Sequence, residues 1–419
     1  MNNILTQHRL VTRFLIMQTG PKLWPFLFGT FLFFGGAAGG AEPPGDAATP
    51  RWTDARNERL PGGLSISLSE PVLVARSKGY LWFPTLAKLD DGRLLAVMSS
   101  HPDAHTATPT CLTAWSTNGG LTWSPPKTAT YGDTKLTLPT GDLLLLPYYL
   151  YPVKDGLGAP YQTVAEGERN LRVVKDGVHV TGWPRPVGSL DPALGLGGFV
   201  FNGQSVLLKN GSYLATLYGW FERDKLYSLV AAESKDGVRW AVKSVIADTA
   251  SCGFKGSGPS ESAVCRLKDG RLMCVFRTDG GLPYGQTWSS DEGRTWEKAV
   301  RMDFGSVQPS LTVLDDGMVV LTGGRPGVFA WLNADGTGRG WHRIDVAANH
   351  TAVCPADPIG DPQPDGKPGG NTSSYTEVVS MGNGHLLVVY DCLPRGWKSI
   401  PPDSPDTNSV WVMRITVVR

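Results

Sequence analysis

Glu261 and Arg277 bracket the segment SAVCRLKDGRLMCVF (262–276), which reads as an apolar strand, an Asp-Gly turn and a second apolar strand. A hairpin returns the chain to where it began, so carboxylate and guanidinium are carried to the same end. Arg277 closes an apolar strand, where an unpaired charge is costly, so a partner or a pocket is expected for it. Tyr375 ends a long Pro-, Gly- and Asp-rich stretch (349–374) of the kind that serves as a lid or binding loop. Arg325 follows Gly323 and Gly324 on an expected inner strand, and Asp103 sits between His101 and His105. These side chains can do group-transfer chemistry. A phenol beside a carboxylate can give up its proton and attack, a second carboxyl can serve as acid and base, and guanidinium groups bind a substrate carboxylate in a planar, bidentate way. Each also has an ordinary use: a carboxylate capping a turn, a ring packed over a neighbouring sheet, an arginine paired within a loop. His101 and His105 have no third ligand at metal spacing, and neither a metal nor a cofactor is expected.

The elements that must hold these residues form a repeat. Strand, turn and strand recur at 84–98 (PTLAKLDDGRLLAVM), 204–218, 262–276, 309–323 and 376–390, with a weaker copy at 134–149. Asp-Gly and Asn-Gly suit the positive φ angles of hairpin turns, and near-continuous apolar strands imply sheets covered on both faces. A polar turn ending in tryptophan follows four of the hairpins: STNGGLTW (116–123), SKDGVRW (234–240), SSDEGRTW (289–296) and NADGTGRGW (333–341). In such turns a short polar side chain bonds nearby backbone N–H groups while the Trp packs between sheets. Six hairpins spaced at intervals of roughly 50–70 residues predict an all-β, six-bladed β-propeller of four-stranded antiparallel blades. The strand Val410–Val418 is expected to close the ring against an early strand within 66–74.

The chain has 419 residues, 18% of them charged, with 51 Gly, 32 Pro and 14 Trp, a profile of short strands and tight turns. Residues 1–41 read as a signal peptide: Arg9, Arg13 and Lys22 precede the apolar run LWPFLFGTFLFF (23–34), and Gly39-Gly40-Ala41 suits cleavage. An uncleaved anchor is the competing reading, disfavoured by the short run and Pro25. The protein is therefore expected to be exported: periplasmic, secreted or at the cell surface. Removing 1–41 takes the formal net charge from +1 to −2, and no basic block remains to attract nucleic acid or an anionic membrane. Residues 42–59 read as a disordered or loosely docked lead-in, and 60–419 as the propeller domain. Among six cysteines there is no CxxC pair. If Asp269-Gly270 is a two-residue turn, Cys265 faces Cys274, as a disulfide or as two packed thiols.

The turn at 289–296 matches the Asp-box pattern S-x-D-x-G-x-T-W at every defined position, 116–123 has Asn118 for Asp, 234–240 is one residue short and 333–341 is looser. With these the chain resembles the sialidase superfamily over roughly 65–419. Gly258-Pro259-Ser260-Glu261 with the hairpin ending at Arg277 is similar to the fourth-blade segment of exo-α-sialidases. Ser374-Tyr375-Thr376-Glu377 resembles the segment that presents the family's tyrosine nucleophile, Gly324-Arg325-Pro326 the site of a triad arginine, and Asp103 the acid. The resemblance implies a retaining glycosidase in which Tyr375 attacks, Glu261 takes its proton, Asp103 is acid and base, and Arg277 and Arg325 clamp a substrate carboxylate. Sialidases are the tyrosine-nucleophile exception among glycosidases, because a neutral phenol is not repelled by the substrate's carboxylate. The implied partner is a glycan bearing terminal sialic acid or a related acidic sugar. One position departs. Trp82-Phe83-Pro84 stands where the family carries Arg-Ile-Pro, and one charged donor fewer weakens carboxylate binding by about 1.5–3 kcal/mol. Two alternatives stay open: an arabinan-type exo-enzyme pairing Glu261 with Asp103, Glu222 or Asp391, and a non-catalytic glycan-binding propeller. Trp220, Phe221 and Trp397 are candidate sugar-stacking rings, and Asp357, Asp361 and Asp365 match no calcium loop.

Overall fold

The computed structural model describes residues 50–419 apart from 104–108, 154–155, 160, 166–170, 175, 183–197, 222–225, 254–255, 279–282, 306 and 361–370. The signal-peptide segment 1–41, the start of the lead-in, His105, Glu222, Asp361 and Asp365 lie outside the described residues. Six antiparallel blades follow one another along the chain. The innermost strands are Trp82–Lys88, Thr134–Thr137, Phe199–Leu207, Ser262–Arg266, Ser310–Val313 and Glu377–Gly382 in blades 1 to 6. The last strand, Asn408–Val418, pairs with both Ser65–Ser69 and Val72–Ser77, closing the ring as its sequence implied. The lead-in differs from expectation. Asp54–Arg59 is a strand paired with Ser65–Ser69, and Arg414 lies over the ring of Trp52. Blade 3 is extended too, because His179–Thr181 adds in parallel to Arg239–Ala247.

Five hairpins share one turn. In blade 4 Leu267 N–H donates to the Arg271 carbonyl and Gly270 N–H to the Leu267 carbonyl, with Gly270 at φ 90°. This is a three-residue loop, a type I turn closed by a left-handed glycine, rather than the expected two-residue turn. The extra residue shifts the register by one and so turns alternate side chains to opposite faces. Cys274 therefore faces Val264, and Cys265 faces Met273. Cys265 packs toward blade 5 with Leu311 and Trp331, Cys274 toward blade 3 with Leu214, and all six cysteines are free thiols. The innermost hairpin of blade 6 has a two-residue turn instead, with Asn383 at φ 52° and Gly384 at φ 74°.

The four polar turns press blades 1, 3, 4 and 5 onto their predecessors. In 289–296 the Ser289 hydroxyl donates to Asp291 and accepts the Gly293 N–H at 2.8 Å, while Asp291 accepts the Thr295 N–H at 2.9 Å. A Cβ on Gly293, which has φ 76°, would stand 2.5 Å from Leu214 of blade 3. The corresponding Gly120 presses in the same way on Leu387 of blade 6. Apolar clusters fill the spaces between neighbouring blades, which is why the inner strands read as continuous apolar runs. The segment expected to be one long loop before Tyr375 contains a helix, Val346–Val353, capped by Asp345.

Candidate active site

The innermost strands enter the channel at one end, and the residue at five of the six entrances lines a cavity of about 250 Å³. Phe83, Asn202, Glu261, Gln308 and Tyr375 all occupy one place in the repeat, nine residues before the hairpin glycine. Blade 2 has Gly132 at that place, flanked by Tyr131, which lines the cavity, and Asp133 beneath it. Asp103 and His101 complete the wall on the blade 1 side. The His101 Nδ1 sits 2.9 Å from the Thr110 carbonyl, so its ring is held by the blade it belongs to.

Glu261 is the most heavily bonded member. Arg277 Nη1 donates to both of its oxygens at 3.0 Å, Gln308 N–H donates at 2.9 Å, and the Tyr375 hydroxyl donates to Oε1. Burial would raise the proton affinity of this carboxyl, but the Arg277 guanidinium, then Tyr375 and Gln308, outweigh it and hold it below the usual glutamate range. Glu261 is therefore ionised and hydrogen-bonded to a neutral phenol. Burial and the Glu261 charge push the Tyr375 hydroxyl well above an ordinary tyrosine, while Arg277 and Arg325 pull the other way. Sequence reasoning placed Glu261, Arg277 and Tyr375 together, and the structure brings them together. Arg325 is beside them but differently engaged. Its guanidinium lies over the rings of Trp397 and Tyr375, at 4.8 and 5.7 Å, and Nη2 donates to the Ser373 carbonyl at 3.0 Å.

The adjoining blade 1 wall carries aromatic rings. Phe83 packs on Tyr375 with ring centres 4.6 Å apart and edge-on against Trp397 at 5.4 Å. Trp397 is thus a packing partner within this wall, Trp220 stacks on Tyr227, and Phe221 is buried. Asp391, weighed above as a catalytic carboxylate, has another role. It is fully buried, accepting from Thr372 Oγ1 at 2.8 Å, Ser373 N–H at 2.7 Å, Ser373 Oγ and Phe83 N–H at 3.2 Å. One carboxylate thereby holds Phe83, in left-handed backbone at φ 48°, together with the Thr372-Ser373 turn, whose Thr372 Oγ1 accepts the N–H of Ser374 at φ 65°. Burial nevertheless pushes Asp391 up to about 6, against those bonds. Asp133 is also pushed up to about 6, chiefly by burial, with Lys135 opposing and Glu377 and Glu261 adding. Asp357 pairs with Arg76, and among the described residues no group of three His, Cys, Asp or Glu is placed to hold a metal ion.

No protein-family model and no curated protein matches the chain. Solved structures do. A protein of unknown function from Dyadobacter fermentans DSM 18053 superposes with a TM-score of 0.62 at 17% identity, covering 86% of this chain and 100% of that one. The Hadza microbial sialidase Hz136 gives a TM-score of 0.53 at 13% identity, over 79% of this chain and 65% of its own. Penicillium chrysogenum alpha-L-arabinanase gives 0.53 at 16% identity, over 82% of this chain and 98% of its own. What these share with the chain is the propeller fold. At such identities the site chemistry has to be argued from the residues themselves.

Glu261, Arg277 and Tyr375 were legible in sequence through the resemblance of their segments to those of sialidases. Asn202, Gln308 and Tyr131 were missed, although counting back from each turn glycine would have found the first two.

Proposed function

We propose that the chain is an exo-acting, retaining glycoside hydrolase of sialidase type, working outside the cytoplasm. The observation that carries this reading is the hydrogen bond from the Tyr375 hydroxyl to the ionised Glu261, at the wall of a cavity that Asp103 also lines. About 250 Å³ is near the lower end of ligand pockets, which suits a single terminal sugar. Tyr375 attacks the anomeric carbon as its proton passes to Glu261, while Asp103 gives a proton to the departing glycosidic oxygen. Asp103, now a carboxylate, takes a proton from water. That water displaces the tyrosyl oxygen, which recovers its proton from Glu261. Arg277 and Arg325 favour the phenolate that develops on Tyr375. The neutral nucleophile suits an anomeric carbon bearing a carboxylate, hence sialic acid or a related acidic sugar.

The Phe83 wall favours a second reading. Where a charged clamp is expected, Phe83 and Trp397 present rings, which suits a sugar with no carboxylate, such as an arabinose-type residue cleaved by Glu261 and Asp103. Hydrolysis of activated sialosides and arabinofuranosides by the purified protein and by Tyr375→Phe decides between the two. Sialoside turnover lost in Tyr375→Phe supports the first. Arabinofuranoside turnover that survives Tyr375→Phe supports the second, and no turnover of either overturns both.

A further inference from the structure

Asn202 belongs to the cavity without taking part in the chemistry above. It lies on the innermost strand of blade 3, is 4% exposed, and lines the cavity. Among the described residues no donor reaches its Oδ1, although that atom is buried. A buried acceptor left without a partner is costly and rare in native proteins, so its placement calls for a reason.

The local backbone supplies one. Between Phe201 and Ser205 the strand leaves register with its neighbour Tyr213–Trp220, forming a bulge of Asn202, Gly203 and Gln204. Bulges of this kind re-aim a side chain, and they gather next to active sites. This one is fixed on both flanks. Gly203, at φ 153°, is pressed so closely on Ser262 that a Cβ would stand 2.5 Å from the Ser262 carbonyl oxygen, and its own carbonyl accepts from Thr134 Oγ1 at 2.8 Å. Gln204 reaches blade 5, where its amide accepts the Leu311 N–H at 2.8 Å and donates to the Leu311 carbonyl at 2.9 Å. Three blades thus hold the bulge, and the side-chain oxygen it leaves unsatisfied among the described residues belongs to a residue that lines the cavity.

We propose that Asn202 is a specificity-determining residue that accepts a hydrogen bond from a hydroxyl or acetamido N–H of the bound sugar. The proposal rests on the cavity being a sugar site, but not on which residue attacks. The sugar donor satisfies the orphaned acceptor, and a sugar lacking that donor leaves it buried and unpaired, which is a strong basis for rejection.

The test is binding of N-acetylneuraminic acid and of arabinose, measured by calorimetry on the full chain carrying Tyr375→Phe, with and without Asn202→Ala. For whichever sugar binds, Asn202→Ala is expected to weaken affinity about tenfold, the worth of one lost hydrogen bond. The same variant is expected to melt at an unchanged or higher temperature, because an unsatisfied polar atom has been removed from the interior. A residue serving only the fold would show the reverse: a lower melting temperature and unaltered affinity. That result overturns the proposal, as does failure of both sugars to bind. Persistent turnover by Tyr375→Phe would instead remove the nucleophile assignment and leave the Asn202 result standing. If Asn202→Ala does not fold, Asn202→Ser keeps a smaller polar group and is expected to show the same loss of affinity.

Discussion

The two walls of the cavity are built on the same place in the repeat, yet they differ in kind. On the blade 4 and blade 6 side, Glu261, Arg277 and Tyr375 form a charge-dense cluster in which every polar group bonds another. On the blade 1 side the equivalent position is Phe83, packed among Trp82, Trp397 and Tyr375. Equivalent backbone positions therefore set only where a side chain points. Residue type sets whether that position does chemistry or excludes it. The charged wall tolerates burial because its charges compensate at close range, whereas an isolated arginine at Phe83 would face aromatic rings and the Asp391 carboxylate.

The largest effect expected is on the charged wall. Tyr375→Phe removes the attacking oxygen while keeping the ring against Phe83, and should lower kcat by about a thousandfold or more with little change in melting temperature. Retention of most activity would break the contrast between a reactive Tyr375 and a passive Phe83. Next comes Asp391, which fastens the two walls together. Asp391→Asn turns an amide toward donors that need an acceptor, so the Tyr375 turn and Phe83 should relax together. We expect kcat to fall about a hundredfold while KM changes little, as for a small misplacement of a reacting group. A KM effect without a kcat effect would place Asp391 on the binding side instead.

The third prediction concerns Asp133, buried behind Glu261. Its carboxyl lies at about 6 in the folded protein, above the usual aspartate value of 3.8. Between those values the folded state binds more protons than the unfolded state, so stability from this group is greatest at low pH and is lost as pH rises through about 6. The shift of roughly two units corresponds to at most about 3 kcal/mol. Asp133→Asn should therefore gain stability relative to the parent between pH 4 and pH 6.5 in denaturant melts. Parallel pH dependence in the two proteins would show that Asp133 does not carry this linkage. The smallest effect is expected at the aromatic wall. Phe83→Arg should improve binding of an acidic sugar about tenfold, one charge-assisted hydrogen bond, at some cost in stability. Weaker binding of N-acetylneuraminic acid in Phe83→Arg would argue that the wall recognises an uncharged face.

Much of the architecture was readable because the repeat is written in short-range chemistry. Turn glycines and apolar strands announce six hairpins, and Ser289, Asp291 and Trp296 announce a turn that caps a blade. The register of those hairpins was not readable. Asp269-Gly270 fits a two-residue and a three-residue loop equally well, and the choice of the longer loop separates Cys265 from Cys274. In the site, Glu261 and Arg277 were visible because one hairpin joins them. Asp391 could be listed as a carboxylate but not assigned, since its partners Phe83 and Ser373 come from opposite ends of the chain.

The sequence by itself determined the propeller, the closing strand and the meeting of Glu261 with Arg277, all consequences of local turns and strand polarity. Only the tertiary structure decided which face of each hairpin looks into the channel, that Asp391 anchors rather than reacts, and that Asn202, a cavity-lining residue, keeps a buried oxygen without a partner among the described residues. The physical reason is that burial and hydrogen-bond partners are properties of the closed ring. A carboxylate or an amide acquires its role from the five other blades that surround it.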